Sequence, residues 1–216
     1  MEKILNYADK RQTAGCVYCG SIEKTAEHLP PKIFLDEPYP LNLVTIKACK
    51  RCNESFSIDE EFVACYVEYL NSNGDLTLIK RPKIQRILTK KPSIFNAFKK
   101  IEETEVNERL GRVFLKIAQG HALFEQNELK FEDDLFKIRF GKYDELTEQA
   151  RLELETIPHA LILPEVGSRA TQRLLTTPIM NVPWITIQDG NYRYLVFDGG
   201  VRMVLSESFW SEILWE

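Results

Sequence analysis

The stretch from Cys16 to Asn53 holds the side chains whose types and spacing point most directly to chemistry. Two Cys-x-x-Cys pairs, Cys16/Cys19 and Cys49/Cys52, stand 29 residues apart (20–48). Between them lie Glu27, His28 and Asn42, and Asn53 follows the last cysteine directly. Four thiolates close a tetrahedral zinc with no open position, so the pairs point to a structural Zn2+ and not to a catalytic one. The residues between them point elsewhere. Hydrolysis of a phosphodiester needs a nucleophilic water, a base to take its proton and a cation for the developing charge. Histidine titrates near neutrality, which suits His28 to the base. Mg2+ or Mn2+ takes one or two oxygens from protein and fills its shell with water and phosphate; Glu27 and the side-chain carbonyl of Asn53 would supply two.

Each of these residues also has a plainer reading. His28 alone is as readily a satisfied structural histidine, Glu27 a solvent-facing carboxylate, and Asn53 a helix cap, for which asparagine is favoured. Four reduced core cysteines without metal would leave the doubled spacing unexplained. The fifth cysteine, Cys65, sits in an apolar pattern and reads as a small buried hydrophobe. Neighbours on a strand point to opposite faces, so Glu27 and His28 serve one site only if the strand ends or twists there. The Pro30-Pro31 break is consistent with that.

Glu27-His28, a loop with prolines, Asn42-Leu43 and then Cys49-x-x-Cys52-Asn53, all between two zinc knuckles, resemble the HNH endonuclease family. The resemblance covers residues 16–70. His28 to Asn42 spans 14 positions, as is usual in the family, and Asn42 to Asn53 spans 11, about two more than usual. The acidic position is Glu where Asp is commoner. The resemblance implies a ββα-metal fold, an Asn42 that braces the loop carrying His28, a zinc that does no chemistry, and cleavage leaving 5′-phosphate and 3′-hydroxyl ends.

Other elements must hold these residues in place. Residues 24–29 read as a short strand, 32–41 as a loop, and 42–46 as an extended return rich in β-branched residues. A helix should begin at the second knuckle. Ser57 with Glu60 reads as a capping box that opens a helix to about Leu70, and Asn71-Ser72-Asn73-Gly74 stops it. Asp59 and Glu60 are also candidates for a further ligand, with the capping role favoured for Glu60. Residues 94–119 read as mostly helical, with Leu110, Val113, Phe114, Ile117 and Ala118 buried and Gly120 as C-cap. Residues 135–140 and 160–163 are short apolar runs. Asp189-Gly190 and Asp198-Gly199 between alternating runs predict a β-meander over 183–205, with Trp210 to Trp215 packed against it. His121 and His159 have no acid or thiol spaced to join them. The expected class is α+β: a zinc-clamped HNH module at 14–72, then an α+β remainder at 73–216 with a helical stretch and a C-terminal antiparallel meander.

The chain has 216 residues, 44% of them hydrophobic and 28% charged, and a net charge of −4, which fits an ordinary globular protein and excludes a globally basic nucleic-acid binder. Against that balance, residues 80–100 carry no acid. Lys80, Arg81, Lys83, Arg86, Lys90 and Lys91 are the candidate contacts to a nucleic-acid backbone, and a solvated helical face is the competing reading. The charged start lacks the apolar core of a signal peptide, and no run is long enough to span a membrane, so a cytoplasmic protein is expected. The functional reading is a metal-dependent endonuclease acting on nucleic acid, DNA before RNA, with a partner protein as one source of targeting. The alternative is a non-catalytic zinc-ribbon binding or adaptor protein. A third reading makes the chain a structural subunit with its tryptophan-bearing meander as an interface.

Overall fold

A computed structural model describes residues 14–131 apart from 24 and 42, then 135–156, 169 and 184–215. The readings placed on residues 1–13, Asn42, 160–163 and His159 fall outside them. The described chain is α+β, with five α-helices, a two-stranded sheet and a five-stranded antiparallel sheet.

Strand β1, Thr25–Leu29, pairs antiparallel with β2, Val44–Ala48. Val44, Ile46 and Ala48 face inward while Thr45 and Lys47 face solvent, the alternation of a half-buried strand. Helix α1, Lys50–Asn71, follows without a break. Its cap is the Cys49 thiol, which accepts from the Cys52 N–H. This corrects the capping box: Ser57 lies inside the helix and donates to the Glu54 carbonyl at 2.8 Å. Asn53 therefore sits in the first turn and is not the cap. The stop at residues 71–74 is as expected, with Asn73 and Gly74 at positive φ.

Prolines open α2, Pro82–Lys90, and α3, Pro92–Phe98. Helix α4, Glu103–His121, buries Val106, Leu110, Val113, Phe114 and Ile117 and continues as a turn of π-helix over Ala122–Gln126. Gly120 is thus not a C-cap. It lies where α4 meets the β1–β2 hairpin, and a Cβ there would stand 2.8 Å from Leu29 Cδ1 and 3.0 Å from Ile46 Cδ1. Close approach of hairpin and helix is what the missing side chain permits.

The second sheet runs in the order β3 (Phe136–Lys142), β7 (Phe209–Trp215), β6 (Gly200–Leu205), β5 (Tyr192–Phe197), β4 (Ile185–Gln188). The two Asp-Gly turns fall as predicted. Trp210 to Trp215 do not pack against this sheet; they belong to its interior strand β7, paired on both sides with β3 and β6. Helix α5, Glu148–Glu155, is capped by Thr147, which accepts from the Ala150 N–H. One cluster of buried residues runs from Cys16 through Leu29, Ile46, Val63 and Ile117 to Met203 and Trp215, so the core continues across residues 72 and 73. No helix among the described residues is long and apolar enough to cross a membrane.

Substituting Gly120→Val would force three extra carbons into the hairpin–helix contact. Denaturant unfolding should show a loss of about 1–3 kcal/mol. An unchanged midpoint would mean that the hairpin does not lie against α4 as described.

Candidate functional site

The four paired cysteines meet at one point, with all sulfur atoms within 4.8 Å of one another and none in a disulfide. Cys19 Sγ and Cys49 Sγ are 3.8 Å apart. A tetrahedron with Zn–S bonds of about 2.3 Å has S–S edges of about 3.8 Å, so the cluster fits Zn2+. Local chain geometry builds it. In the first knuckle the Gly20 N–H donates to the Cys16 carbonyl at 2.8 Å, Gly20 at φ +68° turns the chain, and the Val17 N–H ties the knuckle to the Lys47 carbonyl at 3.0 Å. The second knuckle is the start of α1 itself. The Cys52 N–H holds the Cys49 thiol down to about 6, and Ser21 lowers Cys19, while burial raises Cys16 and Cys52. Cys49 is thereby poised toward thiolate at neutral pH, the form that ligates a metal. Cys65, buried in α1, is pushed up to about 12 by burial, as an inert core residue should be.

Thr25, Glu27 and Leu29 share the inward face of β1, which looks toward α1 and α4. Glu27 is only 7% exposed. Its carboxylate lies 3.4 Å from the Nζ of Lys116 on α4, and the same Nζ donates to Glu60 on α1. Two carboxylates converge on one buried ammonium, which leaves one negative charge over. Burial raises the Glu27 carboxyl above its ordinary range, against the pull of Lys116. Two turns of α1 before Glu60, Asn53 donates from Nδ2 to Thr25 Oγ1 at 3.3 Å. Asn53 and Glu60 are seven residues apart on α1 and so share the face that meets β1. Glu27, Glu60 and Asn53 thus lie along one strip between strand and helix, with both carboxylates engaged by Lys116.

His28 does not join them on that strip. The ladder runs unbroken to Leu29 opposite Val44, so β1 neither ends nor twists between Glu27 and His28, and their side chains leave opposite faces. This corrects the expectation that the Pro30-Pro31 break would turn both to one side. His28 is half-buried opposite Thr45 and has no side-chain hydrogen bond among the described residues. Burial and the nearby Lys32 lower its pKa, so it is neutral at pH 7. No second strand flanks the outer edge of β1 among the described residues.

The basic stretch divides. Lys83, Arg86 and Lys90 lie along the exposed side of α2, with Lys80 exposed just before it, while Ile84 and Leu88 turn inward. Lys91 is exposed but pairs with Glu61 at 2.5 Å. Arg81 is the exception and a correction. It is 6% exposed, donates from Nε to Asp36 at 2.8 Å and from Nη2 to the carbonyls of Ile33 and Leu35, and so cannot reach a phosphate.

Sequence reasoning missed the partners on α4. Lys116 floors a cavity of about 340 Å3 with Tyr18, Phe56 and Arg112 beside the cysteine cluster. Asp59, 3% exposed, is bound by both Arg109 and Arg112. The signal was present: Lys116 falls three residues after Val113 and four before Gly120, on the buried stripe of α4, where an unpaired charge is not tolerated. No family model matches the chain, and neither a curated protein nor a solved structure matches it.

Elemental analysis of purified protein should give about one zinc per chain. Cys52→Ala should lose the metal and most of the protein's thermal stability, because apparent binding energies of structural zinc are about 10–16 kcal/mol. A folded, zinc-free wild type would overturn the assignment. Replacing Lys116→Met strands two buried carboxylates and should cost about 3–5 kcal/mol. A carboxyl raised on folding keeps a proton that the unfolded chain releases, so its contribution to stability falls as pH rises through that window. The Lys116→Met deficit in denaturant unfolding should therefore shrink as pH falls from neutral toward the raised Glu27 carboxyl; a pH-independent deficit would separate Lys116 from Glu27.

Proposed function

We propose that this chain is a divalent-metal-dependent endonuclease of the HNH type, hydrolysing phosphodiester bonds in DNA in preference to RNA. The observation that carries the reading is the continuous β1–β2–α1 unit closed by four thiols, with Glu27 and His28 on its first strand and Asn53 in the first turn of its helix. That order of elements is the one the HNH resemblance implies. Zn2+ would be structural, because four thiolates leave it no open position.

In this reading His28 takes the proton from the attacking water. Burial and Lys32 keep its imidazole neutral, the form a base needs. Glu27 and the Asn53 carbonyl would hold Mg2+ or Mn2+, with Glu60 adding negative charge behind them. Such an ion, when bound, supplies positive charge to the phosphate oxygens and the leaving group. The phosphate would lie across the outer edge of β1, toward which groups on both faces of the strand could turn. Lys80, Lys83, Arg86 and Lys90 would follow the nucleic-acid backbone. No group here reads base identity, so a targeting partner protein is compatible with the arrangement. Asn42, outside the described residues, keeps the bracing role the resemblance gives it.

One observation favours a second reading. Lys116 already neutralises part of the Glu27 charge, as a module that binds nucleic acid without cutting it would tolerate. The two readings part on one assay. Zinc-loaded protein should nick or linearise plasmid with magnesium or manganese and not with EDTA, and His28→Ala should lower the rate about 10²–10⁴-fold with zinc retained. The rate should rise with pH through the lowered His28 pKa and level off by about pH 7. Cleavage unaffected by His28→Ala would remove the proposed role, and no cleavage with intact binding would favour the second reading.

Binding itself has its own check. Replacing Lys83, Arg86 and Lys90 by Ser should flatten the dependence of log K on log salt by about 2.7, if each cation neutralises one phosphate. An unchanged slope would place the backbone contact elsewhere.

A further inference from the structure

Asp36 is the point where three distant segments meet. Its N–H donates to Gln188 Oε1 at 2.7 Å, and Gln188 Nε2 donates back to its carbonyl at 3.1 Å. Asn191 donates from Nδ2 to Asp36 Oδ2 at 2.9 Å and to Gln188 Oε1 at 2.9 Å. On the other carboxylate oxygen Asp36 accepts from Arg81 Nε at 2.8 Å. Arg81 in turn takes the carbonyls of Ile33 and Leu35 at 2.6 and 2.9 Å.

The segment so held is the one that leaves β1 at Leu29, one residue past His28. Between Pro30 and Asp36 its only regular structure is the single 3-10 turn Lys32–Phe34. Phe34 and Leu35 anchor it in the core, but its inward carbonyls have no ladder to join. Arg81 supplies their donors from α2, and Gln188 and Asn191 fix the end of the loop from the last residue of β4 and the turn beyond it. A side-chain carboxamide that pairs both the N–H and the C=O of one residue imitates a strand bridge and sets position and direction together. The sheet does not need these two side chains for its own ladder, which is made by the backbone.

We propose that Gln188 and Asn191, acting through Asp36 and Arg81, are positioning residues by which the C-terminal sheet sets the path of the loop after His28 and so aims its imidazole. This inference rests on His28 being the base. It makes the C-terminal sheet part of the catalytic geometry without any of its residues touching substrate.

The test compares zinc-loaded wild type with the double variant Gln188→Ala/Asn191→Ala, and with Asp189→Ala, which alters the same turn at an exposed residue that makes no bond to Asp36. Cleavage of a short DNA duplex with manganese gives kcat and KM. Hydrogen exchange follows residues 29–36 beside β5–β7. The double variant should keep its zinc and its sheet protection, exchange faster over 29–36, and lose kcat about tenfold or more with KM within about twofold, since small misplacements of a reacting group are costly. Asp189→Ala should match wild type. Faster exchange over 29–36 with unchanged kcat would reduce the clamp to a structural tie and overturn the proposal. A wild type that cleaves nothing would instead remove the reading of His28, and the positioning role with it.

Discussion

Closure of four thiols at one point is the constraint on which the rest depends. A hairpin of two five-residue strands is marginal by itself. Here its zinc-side end is pinned twice, by the first knuckle on β2 and by the second at the start of α1. Fixing that corner sets the register of β1 against β2 and the rotation of α1, because Cys49 and Cys52 lie one helical turn apart. Glu27 and His28 lie on the strand and Asn53 on the helix that this corner joins.

Charge sets the second layer. The inner side of α1 carries Asp59 and Glu60, both buried, and α4 answers with Arg109, Arg112 and Lys116. Such pairs add little net stability over apolar packing, but they penalise any other rotation of one helix on the other. Their effect at the site is electrostatic. Glu27 faces a cation and a second carboxylate at once, so it retains a partial demand for positive charge, and the half-buried His28 on the opposite face stays neutral. Asp36 joins the C-terminal sheet to the same assembly.

What could be read from the sequence were features with a local cause. The doubled Cys-x-x-Cys spacing, the strand before Pro30-Pro31, the stop at Asn73-Gly74 and the two Asp-Gly hairpins each follow from a few neighbouring residues. The failures have one physical origin, which is tertiary context overriding a local pattern. Ser57 and Glu60 have capping-box spacing, but the Cys49 thiol starts the helix two turns earlier and Glu60 is drawn to Lys116. Gly120 resembles a helix end and is a point of close packing. Arg81 belongs to a run of cations, yet buried carbonyls claim it. Trp210 to Trp215, rich in aromatic residues beside a finished meander, pair into the sheet as an interior strand because β3, about 70 residues earlier in the chain, covers their other side as the edge strand.

The central claim is that Glu27 and its neighbours hold the ion that His28 works beside. It is tested most directly by the magnesium dependence of plasmid cleavage for zinc-loaded wild type and Glu27→Gln. The account predicts cleavage by wild type that saturates with magnesium, and a midpoint displaced to higher magnesium, with a lower ceiling, in the variant. The same magnesium curve for both proteins would contradict it.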